Sequence, residues 1–293
     1  MKKKIFLALL FLVIIPGLCV LGYFGYRKYQ DHREHQEWLA NAYPSASENV
    51  AVWRDSIFIP LQNDKRSVHV YLPPGYHDND SIRYPVIYML DGGSAFDMME
   101  HESTEWEIDE VIDSTVAAGG PGAIVIGIES APNRDQEYTP WPIDDYPKAH
   151  GEAFMNWLCT EFKPMIDRQF RTQPATESTT IGGISRSGMM AYYAIMSHPE
   201  TFGRALIQSP SMWVDEERLI AMEPAGDLSK KRIFVSVGEL EAPMVPLAQA
   251  AYDRLARAGI TEDNRKIHVF EGLGHWHITW QQSFAMAYPW IIE

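Results

Sequence analysis

The residues that could do chemistry concentrate late in the chain, and the first group lies in residues 179–194 (TTIGGISRSGMMAYYA). A β-branched stretch ends in Gly182 and Gly183, and Ser185, Ser187 and an apolar stretch of helical period follow. A serine on a sharp strand-to-helix turn projects its hydroxyl, and small neighbours let the backbone pass close by. Ser185 is therefore the candidate nucleophile, although Ser187 replaces the last glycine of G-x-S-x-G. The alternative is a helix that begins after a Gly-Gly turn with a serine N-cap.

A serine nucleophile needs a base and a carboxylate that orients the base, in the chain order serine, acid, histidine. Two acids, Glu239 and Glu241, follow one predicted strand. Two histidines, His275 and His277, follow the next predicted strand in a glycine-flanked loop. Loops at the carboxyl ends of parallel strands are where such sheets build their sites. The spacing does not decide between the two acids or between the two histidines.

A tetrahedral oxyanion needs two hydrogen-bond donors, which this pattern takes from the backbone. One is the N–H of Arg186, directly after the candidate nucleophile. The other is expected from residues 90–94 (LDGGS), whose glycines allow a close backbone approach. Asp91 in that loop precedes Ser185 in the chain, so we interpret it as structural and not as the triad acid.

The elements that must position these residues follow from hydrophobic periodicity. Apolar, β-branched runs predict strands at residues 56–59, 68–72, 86–90, 124–128, 179–182, 205–208, 233–237 and 267–270. Helical period predicts three helices, over 105–116, 154–166 and 248–258. Thr104 and Glu107 form a predicted capping box at the start of the first helix, and Gly259 is the predicted stop of the third. Strands that alternate with helices imply one α/β domain with a mostly parallel sheet covered on both faces.

The first 28 residues differ from the rest. Residues 5–24 are twenty positions without a charge, and lysines and an arginine flank them. Twenty apolar residues can cross a bilayer core of about 30 Å, so this segment predicts one N-terminal transmembrane helix. The predicted organisation is an anchor over 1–28, a stalk over 29–49 and a catalytic domain over 50–293. The lysines before the span favour a domain outside the cytoplasm, periplasmic or extracellular. The alternative is a cleaved signal, with Ala40-Asn41-Ala42 as cleavage site, and a secreted protein.

Charge excludes one class of partner. The 293 residues carry 25 basic and 39 acidic side chains, a formal net charge of −14. Five basic and no acidic residues lie in the first 28 positions, so twenty basic and 39 acidic residues, net −19, remain beyond them. Such a surface repels nucleic acid.

Cys19 and Cys159 are too few for a disulfide framework or a cysteine zinc site. We expect no metal or organic cofactor, because serine, histidine and a carboxylate suffice for this chemistry.

Several blocks beyond the serine motif resemble one family. They are YPVIYMLDGG (84–93), IVIGIESAPNRDQEYTPW (124–141), EFKPMIDRQFRT (161–172), IGGISRSGMMAYYAIMSHPETFGRALIQSPSMW (181–213) and GLGHWHITW (272–280). From about residue 50 onwards, the chain resembles the esterase D-like branch of the α/β-hydrolases. That branch includes siderophore trilactone esterases, feruloyl and acetyl-xylan esterases, and mycolyltransferases. The resemblance implies an α/β-hydrolase fold and ester chemistry.

The resemblance also assigns roles to single residues. It implies Ser185 as nucleophile, His275 as base and Glu241 as the triad acid, with His277 as a neighbour. Backbone donors to the oxyanion would be Gly93 and Arg186, and the residues expected near the substrate are Arg134, Trp213 and Trp280. The departures from the family pattern are Ser187, in place of glycine, and Trp276, where an aspartate often follows the histidine.

These observations predict a serine-dependent carboxylic-ester hydrolase that forms an acyl-enzyme. Its expected substrate is a small-molecule or acylated-sugar ester outside the cytoplasm. Three alternatives remain open at this point: a siderophore trilactone esterase, an acyltransferase to a sugar or lipid alcohol, and a catalytically silent binding module. The strong negative charge of the domain disfavours a strongly anionic substrate.

Overall fold

The structure is a computed structural model that describes residues 44–99 and 105–293. Within these two ranges, no helix has the length and apolarity needed to cross a membrane. The predicted anchor (1–28) and most of the predicted stalk lie outside the described residues.

Eight strands form in the described residues, and each overlaps one of the predicted runs. Their bounds are β1 Val50–Ile59, β2 Asp64–Tyr71, β3 Val86–Leu90, β4 Ile124–Ile128, β5 Thr179–Ile184, β6 Arg204–Gln208, β7 Arg232–Gly238 and β8 Arg265–Phe270. They make one sheet in the order β1-β2-β4-β3-β5-β6-β7-β8. The pairs β1–β2 and β2–β4 are antiparallel, and every pair from β4 through β3 to β8 is parallel. The predicted mostly parallel sheet is confirmed.

The helices connect the parallel strands. Their bounds are α1 Ile108–Ala117, α2 Arg134–Glu137, α3 Gly151–Trp157, α4 Lys163–Gln169, α5 Arg186–Ser197, α6 Glu216–Ala221, α7 Val245–Arg257 and α8 His277–Ile292. A π-helical segment, Leu158–Phe162, joins α3 to α4, so the predicted helix over 154–166 extends at both ends. Gly259 has a φ of +102° just past α7, as expected of a helix stop.

Both faces of the sheet are covered. All five residues of β3 are buried, and they alternate between the two cores. Tyr88 and Leu90 belong to the larger core, whereas Ile87 and Met89 belong to the smaller one. Such continuous apolar strands are typical of parallel sheets with helices on both faces. The arrangement is consistent with the α/β-hydrolase-like fold that the resemblance implied.

The predicted capping box before α1 is wrong. Glu107 is itself the residue that precedes the helix, in a left-handed conformation with a φ of 52° and no side-chain cap. Its carboxylate instead accepts a hydrogen bond from Nε2 of Gln281 on α8, at 3.1 Å. The contact with α8 therefore replaces the local cap, and the helix begins three residues later than predicted.

Asp109 in the first turn of α1 makes stability depend on pH. Its side chain is buried and accepts the N–H of Ser47 at 2.7 Å. Burial raises the pKa of Asp109 above its ordinary value, and partial burial of its carboxyl group and the neighbouring Asp109 carboxyl raise the pKa of Glu110 to about 8. A carboxyl whose pKa is higher in the folded protein stabilises the fold while it is protonated. That contribution is complete below the ordinary carboxyl range of ~4 and is lost as pH rises through the raised values.

We therefore expect the urea midpoint of unfolding to fall between pH 7 and pH 9, which lies above the range where the lowered pKa of His277 makes stability rise with pH. Asp109→Asn should make this fall smaller, because the amide stays neutral and can still accept the Ser47 N–H. Glu217→Gln, at an exposed position of α6, is the matched control and should keep the wild-type slope. A midpoint that rises with pH in the wild-type protein would contradict the assignment.

Candidate active site

The predicted site residues come together because parallel strands end at one edge of the sheet. Residues 92–94 follow β3, Ser185 follows β5, Glu241 follows β7 and His275 follows β8. All four strands run in the same direction, so their carboxyl ends meet at this edge.

Ser185 occupies the sharp turn between β5 and α5. Its φ of 60° and ψ of −117° lie in a region that residues with a side chain rarely adopt, which costs about 1–3 kcal/mol. Two glycines make the turn feasible. A Cβ on Gly183 would lie 2.4 Å from the carbonyl oxygen of Ser187, and one on Gly188 would lie 2.4 Å from that of Gln208. The strained serine on a strand-to-helix turn is the geometry of an exposed nucleophile.

Glu241 and His275 form a hydrogen-bonded pair across 34 positions of sequence. Nδ1 of His275 lies 2.7 Å from Oε2 of Glu241, whose side chain is fully buried. Because a carboxylate only accepts, Nδ1 carries the proton and Nε2 is left as an acceptor. The other carboxylate oxygen, Oε1, accepts from Ser209 Oγ at 2.8 Å and from the Gly238 N–H at 2.7 Å. The carboxylate is therefore held in place before any substrate binds.

The two alternatives that spacing left open have different surroundings. Glu239 is exposed, and its Oε2 accepts the backbone N–H of Gly272 at 2.8 Å. His277 begins α8, and among the described residues its Nδ1 has no hydrogen-bond partner. Burial lowers the pKa of His277. The geometry thus pairs His275 with Glu241 and separates Glu239 and His277 from that pair.

A cavity of about 290 Å³ opens beside Ser185. The residues that line it are Asp91, Ser94, Trp106, Ser130, Arg134, Ile184, Ser185, His275 and Trp280. The Ser185 hydroxyl is hydrogen-bonded to Ser211 Oγ at 3.2 Å in this structure, and not to His275. Catalytic hydrogen bonds are often long or poorly aligned before substrate binds. The volume is at the small end of the range for ligand sites.

The predicted oxyanion donors lie at the ends of β3 and β5. Gly93 is buried in a short 3₁₀ helix, Gly92–Ser94, and Arg186 is the first residue of α5, where helix N–H groups have no partner within the helix. The 3₁₀ helix packs tightly on β4, since a Cβ on Gly92 would lie 2.1 Å from the carbonyl carbon of Gly127. Glycine is therefore required for this loop to reach its position beside the strand.

The two arginines of the site have different surroundings. Arg134 lines the cavity, and its Nε and Nη2 donate to the two carboxylate oxygens of Asp91 at 2.7 and 2.5 Å. Burial alone would lower the pKa of Arg134, but the hydrogen bonds and charge of Asp91 raise it above its ordinary value. The buried side chain of Arg186 is directed elsewhere: it donates to Tyr146 Oη at 2.9 Å and pairs with Asp135 at 3.0 Å.

The two tryptophans predicted near the substrate are placed differently. Trp280 lines the cavity, and its ring packs edge-on against the imidazole of His275, with centroids 5.1 Å apart. Trp213 lies outside the cavity lining, is 55% exposed, and has its ring centroid 5.7 Å from the Arg186 guanidinium.

Among the described residues, no three His, Cys, Asp or Glu side chains are arranged to hold a metal ion.

Sequence reasoning missed two serines after β6. Ser211 contacts the Ser185 hydroxyl, and Ser209 connects Glu241 Oε1 to the indole N–H of Trp280, which donates to Ser209 Oγ at 3.1 Å. A signal for both was present, because the Ser-Pro-Ser sequence at 209–211 follows a predicted strand between those that carry Ser185 and Glu241.

Comparison with known proteins identifies the family of this chain. Residues 60–291 match the family whose description is "Putative esterase", which is most of the chain.

The chain belongs to this esterase family.

Relatives with named activities agree with the family. The chain is 26% identical to the ferri-bacillibactin esterase BesA of Bacillus subtilis, over 73% of this chain and 81% of BesA. It is 25% identical to an endo-1,4-beta-xylanase/feruloyl esterase of Xylanibacter ruminicola, over 80% of this chain but only 30% of that longer protein. A solved ferulic acid esterase superposes with a TM-score of 0.65 at 22% identity and covers 83% of this chain and 98% of its own. Ester hydrolysis is the activity that these findings support.

Proposed function

We propose that the chain is a serine-dependent carboxylic-ester hydrolase with Ser185 as nucleophile, His275 as base and Glu241 as the orienting acid. The observation that carries the proposal is the strained Ser185 in a cavity that it shares with His275, whose Nδ1 is held by the buried Glu241. Membership of the esterase family supports the reaction class.

In this mechanism His275 Nε2 accepts the Ser185 proton while Oγ forms a bond to the acyl carbon. The carbonyl oxygen becomes an oxyanion, to which the N–H groups of Gly93 and Arg186 donate. Collapse of the tetrahedral intermediate breaks the bond to the leaving oxygen, which takes the proton from His275. Water then attacks the acyl carbon while His275 accepts one of its protons. Collapse of this second intermediate breaks the bond to Ser185 Oγ, which takes the proton back from His275, and the acid is released. Glu241 stabilises the imidazolium and keeps its orientation throughout.

We assign the small cavity to an acyl group, with Arg134 and Trp280 beside it and the alcohol portion outside. An ester of a small molecule or of a sugar fits this arrangement. The siderophore esterases among the relatives support a trilactone substrate as the second candidate. A panel of feruloyl, acetyl-sugar, short acyl and trilactone esters, compared by kcat/KM, separates the two.

Labelling with a fluorophosphonate tests the proposal against a silent binding module. The probe should attach covalently to Ser185, and peptide mass analysis should locate it there. A protein that does not react would support the binding module.

Adding an alcohol during hydrolysis tests acyl transfer, because a transferase forms new ester faster than free acid.

We also propose that residues 1–28 anchor the esterase in a membrane with its catalytic domain outside the cytoplasm. The support is the run of twenty uncharged residues at 5–24 between basic flanks. The full chain should remain in the membrane fraction after a carbonate wash. Release of a shortened protein that begins near residue 43 would instead identify a cleaved signal.

A further inference from the structure

A line of hydrogen bonds runs from the turn that carries Ser185 to the guanidinium in the cavity. It consists of Ser187, Asp91 and Arg134. Ser187 Oγ lies 2.7 Å from Asp91 Oδ2, and both carboxylate oxygens of Asp91 accept from Arg134. Ser187 is the residue that replaces the family's usual glycine, so glycine at this position would remove the first contact.

Ser187 is fully buried and its hydroxyl is oriented by the strand end. Its oxygen accepts the N–H of Ile184 at 2.9 Å, which leaves the hydroxyl proton for an acceptor. Two acceptors are within reach, Asp91 Oδ2 at 2.7 Å and the Ile184 carbonyl at 2.8 Å. The carboxylate is the stronger acceptor because hydrogen bonds to charged groups are about twice as strong as neutral ones.

Asp91 in turn is fixed at its backbone. It adopts a left-handed conformation with a φ of 60° directly before the 3₁₀ helix that carries Gly93. Its N–H donates to Tyr138 Oη at 3.2 Å, and Tyr138 also lies 5.5 Å below the Arg134 guanidinium. A two-point contact between a carboxylate and a guanidinium fixes the plane of the arginine as well as its distance.

We propose that Ser187 is a positioning residue that acts through Asp91 to hold Arg134 in the cavity, where Arg134 donates to a neutral oxygen of the substrate. The inference rests on the proposed function. The preference for a neutral oxygen follows from charge: Asp91 balances the charge of Arg134, and Asp135 Oδ1 lies 4.0 Å from Nη1, beyond hydrogen-bond distance. The protons of Nη1 and the second proton of Nη2 remain for a substrate oxygen. Hydroxyl, methoxy or carbonyl oxygens of the acyl group, such as those of a phenolic acid, have this chemistry.

A double-mutant cycle between Ser187 and Arg134 tests the inference, because Asp91 hydrogen-bonds to both side chains. The substrate is methyl ferulate, and α-naphthyl acetate, which has no oxygen beyond its ester, is the parallel probe. Arg134→Ala should raise KM for methyl ferulate roughly 10- to 100-fold, as expected for a lost hydrogen bond to a charged group. Its effect on KM for α-naphthyl acetate should be smaller than about threefold.

Ser187→Ala should raise KM for methyl ferulate about threefold to tenfold, with a smaller change in kcat. In the Arg134→Ala background the same substitution should change KM less than about twofold, because the group that Ser187 positions is gone. A purely structural role would give the same effect in both backgrounds, and that additive result would overturn the inference. Ser197→Ala, at the far end of α5, is the matched control and should match wild type in both parameters.

Two further measurements keep this test separate from the proposed function. The rate of fluorophosphonate labelling measures the reactivity of Ser185 and does not require Arg134 to bind a substrate oxygen. This rate should be similar in Ser187→Ala and wild type. A parallel loss of labelling would mean that Ser187 supports the nucleophile turn, which contradicts the inference but leaves the esterase proposal intact. A crystal structure of Ser187→Ala should show the Asp91–Arg134 pair displaced from its wild-type position in the cavity. An unchanged Asp91–Arg134 pair would overturn the inference even if a kinetic effect is present.

Discussion

Ser185→Ala should lower kcat for ester hydrolysis by about 10⁶-fold, the size of loss seen when a triad serine is removed. The reason is that no covalent acyl-enzyme can form without the hydroxyl, so only the oxyanion donors and substrate binding remain. The variant should still fold, since alanine removes one atom and keeps the Cβ at the turn. The measurement is kcat on p-nitrophenyl acetate, with fluorophosphonate labelling of the same preparation.

Ser211→Ala is the informative comparison, because Ser211 carries the hydroxyl that contacts Ser185 Oγ at 3.2 Å. It should retain covalent labelling at Ser185 and lose at most about a hundredfold in kcat, as for removal of one hydrogen-bonding neighbour. If Ser185→Ala kept most of its activity while Ser211→Ala lost it, the nucleophile would be Ser211 and the proposed assignment would be wrong.

His275→Ala should lower kcat by a similar factor, on the order of 10⁶. Without the imidazole, no group accepts the Ser185 proton, and the leaving oxygen has no proton donor. His277→Ala, two residues further along at the start of α8, is the control and should stay within about tenfold of wild type, because alanine there leaves the His275–Glu241 pair intact.

The acid is tested in the same way with two amide substitutions. Glu241→Gln should lower kcat about 10⁴-fold, since a neutral amide neither stabilises the imidazolium nor favours the productive tautomer. Glu239→Gln should have a small effect because that side chain is exposed and bonds only a backbone N–H. Equal losses at both positions, or a larger loss at Glu239, would remove Glu241 from the proposed triad.

Local pattern predicted the strands better than the helix ends. Every β-branched run became part of a strand of the sheet, and the pattern was clearest at β3 and β4, because parallel strands that are buried on both faces are apolar along their whole length. The start of α1 was wrong, since Glu107 bonds to Gln281 far along the chain and not to its own helix. Such a contact is invisible to local spacing. It shows how tertiary partners override a capping signal.

The candidate site shows the same difference between what the local sequence predicts and what tertiary contacts decide. The order of Ser185, the acids and the histidines after successive strands was readable, because parallel topology brings strand ends to one edge. Asp91 was interpreted as structural from its position alone, but its contacts with Ser187 and Arg134 could be found only in three dimensions.

By itself, the sequence determined the fold class, the strained serine turn and the segments that supply its partners. These depend on residue type and on local periodicity. Only the tertiary structure decided that His275 pairs with Glu241, that Arg186 is directed away from the cavity and that Trp213 lies outside it. The reason is physical: a hydrogen bond between residues 34 positions apart depends on where two loops end and on which side chain is buried between them.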